Sequence, residues 1–321
     1  MRPRRLRSKR LNSTTKSNTR QAPEVPEAIR SIVRTKSLAF VLLLASTSTM
    51  AIDLAPLWDF GKPEVSEQRF RQALESATGD DALILHTQIA RTYGLRKDFD
   101  AARKMLRQIE PAMDTAGPEA RVRYELELGR SHASAAHTPE QMTSGGKAQA
   151  RLHFDAALSK ARAARLDALA VDAIHMFAFL DTSPADQLKW SKAALELVQA
   201  STQPEAKRWE PSVRNNLGHA LHQLGRYEDA LIEFQQAVLL RERGSNADAT
   251  RVAHWMVAWT LRSLGRIDEA LEIQLRLENQ NEAAGKPDPY VHEELEALYR
   301  AKGDEARAEH FARRKGSANK Q

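Results

Sequence analysis

The sequence predicts an all-α chain, a right-handed superhelical solenoid of antiparallel helix pairs. Three observations lead there. Chain breakers are sparse, with 14 glycines and 13 prolines in 321 residues, while Ala, Leu, Glu, Arg and Gln abound and favour helix. From Ser66 onward the apolar residues fall at helical spacing, with turn signals roughly every 15–20 residues. One pattern of small and large side chains also returns at intervals of 38 to 40 residues, and self-similarity at such a period marks a repeat array.

Residues 1–49 stand apart. Residues 1–36 carry 11 Lys and Arg against Glu24 and Glu27, so the net charge of +6 belongs to this segment and the rest of the chain is mildly acidic. Without helical or alternating periodicity, the segment reads as a disordered basic tail. The apolar run Leu38–Ala45 that follows is far below the ~20 residues a membrane-spanning helix needs. An over-extended start with Met50 as the true first residue, an export or anchoring signal, and a functional basic tail are the alternatives it leaves. Residues 50–79 form an N-terminal capping region, in which Pro63-Glu64-Val65-Ser66-Glu67 leads into a helix through Phe70 and Leu74. Residues 80–316 form the repeat domain.

The clearest repeat reads Asn216-Leu217-Gly218-His219-Ala220-Leu221 through Leu224-Gly225-Arg226-Tyr227-Glu228-Asp229-Ala230-Leu231. Forty residues on, Met256-Val257-Ala258-Trp259-Thr260-Leu261 through Leu264-Gly265-Arg266-Ile267-Asp268-Glu269-Ala270-Leu271 repeats it. Leu295, Tyr299, Gly303 and Ala308 keep the spacing downstream, and Ile89-Ala90, Tyr93, Phe99 and Ala102 keep it upstream. Each position has a steric task. Gly218, Ala258 and Ala90 allow two helices to approach closely. Leu221, Leu261, Tyr299 and Tyr93 fill the space between helices. Gly225, Gly265 and Gly303 end the first helix in a left-handed turn. Ala230, Ala270, Ala308 and Ala102 are small again where the second helix crosses the first.

This pattern resembles the tetratricopeptide repeat, a helix–turn–helix unit of about 34 residues. The match is strong over 215–243 and 251–278 and fair over 85–109 and 291–314. Lys97 replaces the turn glycine in the first copy, which should weaken that turn. Glu296 replaces the small residue in the last, which is tolerable if that repeat has one face open to water. Between these copies the pattern is degenerate. A helix over 119–134 carries Leu128-Gly129 as an echo of the close-packing pair, a loop spans 135–146, and a helix follows over 147–165. Helices over 167–179 and 186–200 make a further pair joined through Thr182-Ser183-Pro184, a cap and turn.

No catalytic or cofactor constellation emerges. Zero cysteines exclude disulfides, thiolate zinc sites and cysteine nucleophiles. Ser144-Gly145-Gly146-Lys147 departs from a phosphate loop, since Gln141 stands where the first glycine is required and Ala148 where Ser or Thr is. His292-Glu293-Glu294 has no second histidine four residues on. His219 and His222 lie on one helix, but no third metal ligand is identifiable nearby. The chain therefore reads as non-enzymatic, with no metal, no small-molecule cofactor and no nucleic acid as partner.

The resemblance implies a concave groove lined by the first helices of successive repeats, where a protein or peptide binds. The side chains not used for packing there are Asn215, Asn216, His219 and His222 in the clearest repeat, flanked by Ser212 and Gln223. Trp255, Met256, Trp259 and Arg262 follow in the next. Tyr290, Glu293 and Arg300 in the last repeat, and Gln88 and Arg91 in the first, extend the row. Asn amides can bracket a peptide backbone, and Trp supplies buried area. Trp255 and Trp259, four apart, can equally pack against a neighbouring repeat. The carboxylate clamp of some co-chaperone members is not expected, because its lysine has no counterpart beside Asn216 and Arg262. The expected function is a scaffold binding a protein or peptide, in the cytoplasm. The alternatives are a peptide-sensing regulatory module, or an exported or inner-membrane-anchored assembly factor if Leu38–Ala45 is a true signal; membrane contact depends on that run alone.

Overall fold

The computed structural model describes residues 52–318, and the expectations for the basic tail and the apolar run lie outside them. Among the described residues there are thirteen α-helices of more than one turn, one single-turn α-helix, two short 3-10 helices (Ala55–Leu57 and Glu110–Asp114) and no strand. In chain order the α-helices are α1 (Pro63–Leu74), α2 (Gly79–Leu95), α3 (Phe99–Ile109), α4 (Pro118–His132), α5 (Ser144–Ala163), α6 (Asp167–Leu180) and α7 (Pro184–Ala200). The single-turn α8 (Pro204–Lys207) is followed by α9 (Glu210–Gln223), α10 (Tyr227–Glu242), α11 (Ala247–Ser263), α12 (Ile267–Ala283), α13 (Pro289–Ala301) and α14 (Glu305–Ala318). After α1 they form six antiparallel pairs: α2–α3, α4–α5, α6–α7, α9–α10, α11–α12 and α13–α14.

Local chemistry sets the helix ends. Asp98, Thr143, Ser183, Asn246 and Asp288 each accept a hydrogen bond from a backbone N–H in the first turn of the following helix. Thr143 explains why α5 starts three residues before the expected boundary. Gly145 and Gly146 lie inside its first turn, with Gly146 N donating to Thr143 Oγ1 at 3.1 Å, so the Gly-rich stretch is helix and not loop.

At the tight turns the chain closes with a left-handed residue. Gly225, Gly265 and Gly303 take φ of +73°, +74° and +75°. Behind each, the next backbone N–H reaches back to the carbonyl of Leu221, Leu261 or Tyr299 at 2.9–3.0 Å. Lys97 adopts the same conformation with φ +65°, and so does Arg165 at +55° between α5 and α6. A side chain in this region costs about 1–2 kcal/mol, so two turns are kept by the packing around them and not by residue choice.

Within a pair, the first helix offers a small residue to a larger one on the second. Gly218 meets the ring of Phe234, and Gly129 meets that of Phe154. Both rings are fully buried. The Leu128-Gly129 echo therefore marks a genuine close approach, with an eleven-residue connection (133–143) in place of the turn. Glu296 differs from the expectation of an open face. It is buried, with its carboxylate 2.6 Å from Arg300 Nη1 and 3.1 Å from Lys315 Nζ. Burial pushes that carboxyl up, but the two cations outweigh it and hold it below the usual range.

The stack has an inner and an outer row. Consecutive first helices touch (α2 with α4, α4 with α6, α9 with α11, α11 with α13), whereas no two consecutive second helices make comparable contact. The first helices therefore form the tighter row, and the exposed part of that row is the inner face.

Candidate functional site

The inner face has two chemically distinct halves. In the N-terminal half, α2, α4 and α6 bring Arg91, Glu127, Arg130 and Asp172 together. Arg130 Nη1 lies 2.5 Å from Glu127 Oε1 and its Nη2 pairs with Asp172. Arg91 is 3.6 Å from Glu127 and 3.9 Å from Asp172, so it contributes charge without a hydrogen bond to either. Its guanidinium instead faces the rings of Trp58 and Phe60, each 5.7 Å away. Burial, with the charge of Arg130 next to it, lowers the pKa of Arg91. Burial raises that of Asp172, yet Arg130 and Arg91 prevail and leave it below the ordinary value. The quartet borders a pocket of about 210 Å³ that His175 and Trp209 close from the other side. Gln88, expected in the groove, is buried, and its amide oxygen accepts from Trp58 Nε1 at 3.2 Å.

In the C-terminal half, α9, α11 and α13 carry a ladder of rings. His222 stacks on Trp259 with centroids 3.4 Å apart, Trp259 stacks on Trp255 at 5.8 Å, and Trp255 meets Tyr290 edge-on at 6.5 Å. His219 lies 6.0 Å from Trp259 on the same side. These rings come from the offsets the repeat pattern assigns to the groove, and Trp255, Trp259 and His219 remain half-buried. Ser263 Oγ donates its single proton to Trp259 O at 3.2 Å, so at 2.9 Å it accepts from His222 Nε2. Burial pushes the His222 pKa down to about 4, with His219 and Arg262 adding to the effect. Burial also lowers His219 and His175. All three imidazoles are neutral at pH 7.

The other expected groove residues are engaged to different degrees. Asn216 donates its amide to His175 Nδ1 at 3.2 Å, linking α9 to α6. Arg262 grips Glu294 of α13 with two hydrogen bonds at 2.7 and 2.8 Å, tying adjacent repeats. Ser212 accepts from Arg241 at 2.6 Å. Asn215 and Met256 are half-buried, and Gln223, Glu293 and Arg300 are exposed. The structure thus gathers His219, His222, Trp255 and Trp259 into one surface and makes Asn216 and Arg262 the braces between first helices.

Sequence reasoning passed over Glu127, Arg130, Asp172 and His175. A signal was there for the first two: they stand two before and one after Gly129, as Asn216 and His219 stand about Gly218. Among the described residues, no group of three or more His, Asp and Glu is placed to hold a metal ion, and no helix is long and apolar enough to cross a membrane.

Stacked helix pairs with an inner row of first helices define a helical-repeat solenoid. Residues 209–280 match the tetratricopeptide repeat family model, on the two repeats that carry the ring ladder. The chain is a tetratricopeptide-like helical repeat protein. It is similar to a signal-transduction ATPase with numerous domains from Pyrococcus horikoshii that has a tetratricopeptide repeat sensor. The two share 14% identity and a TM-score of 0.59, over 80% of this chain and 39% of that one. The chain therefore spans well under half the length of that protein. Lower similarity extends to the assembly chaperone of RpL4 (Acl4), with 15% identity, TM-score 0.43, and 79% and 95% of the two chains covered. For NprR in complex with its cognate peptide NprX the values are 12%, 0.40, 80% and 83%. At these identities the likeness concerns the fold alone. None of the curated proteins matches the sequence.

Proposed function

We propose that the chain is a non-enzymatic scaffold that binds a protein or peptide segment along its inner face. The observation that carries this reading is the ring ladder His222–Trp259–Trp255 with His219 beside it. It is continuous across α9, α11 and the start of α13; His222 is buried beneath it, whereas Trp259, Trp255 and His219 are half-buried. Burying an indole contributes on the order of several kcal/mol at a protein interface, and Trp is enriched where truncation costs most. The half-buried imidazole of His219 beside these indoles offers a hydrogen-bonding group without charge, which suits a peptide backbone. The tetratricopeptide match on the same two repeats supports the reading.

The experiment is affinity capture from the native host with the full chain, the captured proteins being identified by mass. The Asn215→Lys/His219→Glu double variant alters the inner face at half-buried positions, with His219 meeting the next repeat through its ring contact with Trp259 and not through a hydrogen bond. It should fold as the parent by circular dichroism and lose the main captured protein. Ile232→Ala, on the exposed outside of α10, should retain it. Retention by both variants refutes the inner face as the binding surface.

A further inference from the structure

Two basins lie on the edge of the stack where successive repeats are joined, at equivalent positions of consecutive repeats. Arg241 and Asn281 line them forty residues apart, as do Pro211 and Arg251, and Asn246 and Lys286. Asn246 caps α11 and Asp248 lies in its first turn, so only the start of that helix separates the two.

The first basin, about 740 Å³, is open and cationic. Lys207, Arg208, Arg241 and Arg243 line it, and no carboxylate does. Arg241 is half-buried, and its one hydrogen bond goes to the hydroxyl of Ser212. Burial lowers its pKa with no anion nearby to oppose the shift. Arg243 is exposed, and among the described residues it forms no ion pair. The one carboxylate in range of the four cations is Glu205, 3.8 Å from Arg208 with both groups exposed. The basin therefore carries a concentration of positive charge that no lining carboxylate offsets, and that favours an anionic partner.

The second basin, about 610 Å³, is apolar. Trp255, Met256, Leu277 and Pro289 form its walls. Val252 (52% exposed) and Tyr290 (67% exposed) stand at its mouth. Trp255 lines this space with a half-buried ring. The charges lining it cancel: Asp248 pairs with Arg251 and lies 3.6 Å from Lys286, and Asp288 balances the second cation. A volume of this size accommodates a bulky side chain and the backbone next to it.

We propose that the two basins form one docking edge for a protein segment in which an acidic run adjoins a bulky apolar side chain. The acidic groups supply the counter-charge for Arg241, Arg243, Lys207 and Arg208. The apolar side chain fills the second basin against Trp255, Met256, Leu277 and Pro289. Nucleic acid fits less well, because the second basin is neutral and apolar and the chain outside residues 1–36 is mildly acidic. The proposal rests on the reading of the chain as a binder of protein segments and adds the chemistry of the segment.

The test uses the full chain and a fluorescein-labelled peptide, Asp-Asp-Glu-Asp-Ser-Phe-Leu, followed by anisotropy at low and high salt. Arg243→Glu should weaken binding about tenfold and flatten its salt dependence. Val252→Ser should weaken it about fivefold with the salt dependence unchanged. Both variants change exposed side chains, and circular dichroism verifies their fold. Peptides with Asn and Gln for the acids, or Ala for Phe and Leu, should lose affinity in parallel. Failure of the acidic–apolar peptide to bind, equal binding of the neutral peptide, parental affinity in both variants, or tighter binding of a single-stranded oligonucleotide overturns the proposal. Capture from the host separates it from the inner-face reading. If Asn215→Lys/His219→Glu abolishes capture while both edge variants retain it, the edge is refuted and the inner face stands. If all three retain it, both fall.

Discussion

Gly218→Ala adds a single methyl group at the closest helix crossing of the clearest repeat. Its Cβ would lie 2.8, 2.9 and 3.0 Å from three atoms of the Phe234 ring, inside ordinary contact distance. Phe234 is fully buried in the central apolar cluster with Leu217, Leu221 and Ala230, so the ring has no empty space to enter. Either the ring leaves its rotamer or α9 and α10 separate. Overpacking of this kind costs about 1–3 kcal/mol. The substitution also brings a gain, because alanine in a helix interior is about 1 kcal/mol better than glycine. The net expectation is a loss of up to about 2 kcal/mol, or a fall in Tm of up to roughly 8 °C for a domain of this size. Gly94→Ala isolates the two contributions. It sits near the end of α2 with nothing within 4 Å of an added Cβ, so it should melt at or above the parent temperature. Phe234→Leu added to Gly218→Ala should recover part of the loss, as a coupled pair does. Thermal melts by circular dichroism decide the matter. If Gly218→Ala gains stability as Gly94→Ala does, the assignment of this position to a tight crossing is wrong.

Gln274 is fully buried with both amide atoms unpartnered, so Gln274→Met should raise stability by about 1–2 kcal/mol in a chemical denaturation series. Arg130→Ala strips Glu127 and Asp172 of their closest cation; a loss of about 3–5 kcal/mol is expected in the same measurement, against less for Arg91→Ala. His222 has a pKa of about 4 in the fold against an ordinary 6.5. The unfolded chain therefore takes up the proton first, and the stability present above pH 6.5 is lost as pH falls from there to about 4. His222→Gln should flatten that part of the pH–stability profile, and an unchanged slope would show that His222 does not titrate as the geometry requires.

The architecture was legible because each repeat position answers a steric demand that only a few residue types meet. Gly225, Gly265 and Gly303 could be assigned left-handed turns because glycine alone meets that demand without strain. Ala230 and Ala270 could be placed at crossings because a side chain larger than a methyl would not fit. Where the chain meets the same demand by other means, the signal fades. Lys97 and Arg165 occupy left-handed positions that their types do not advertise. The α4–α5 pair hides its register behind a long connection, although Gly129 and Phe154 meet as Gly218 and Phe234 do.

The inner face was legible as a set of positions but not as a set of contacts. Offsets from the small residue give the face a side chain occupies, whereas its partner depends on the neighbouring repeat, about forty residues away. Arg262 illustrates the limit. Its position marked it as spare, and its geometry makes it a bidentate brace to Glu294. Each further repeat multiplies such cross-links, so the side chains still available to a ligand are those whose counterpart in the next repeat is too short or of the wrong chemistry to engage them. Arg241 meets that condition through a counterpart forty residues on, Asn281, that carries no charge. In a stack of near-identical units, binding chemistry concentrates where consecutive copies stop matching, and here that break falls between the cationic and the apolar basin.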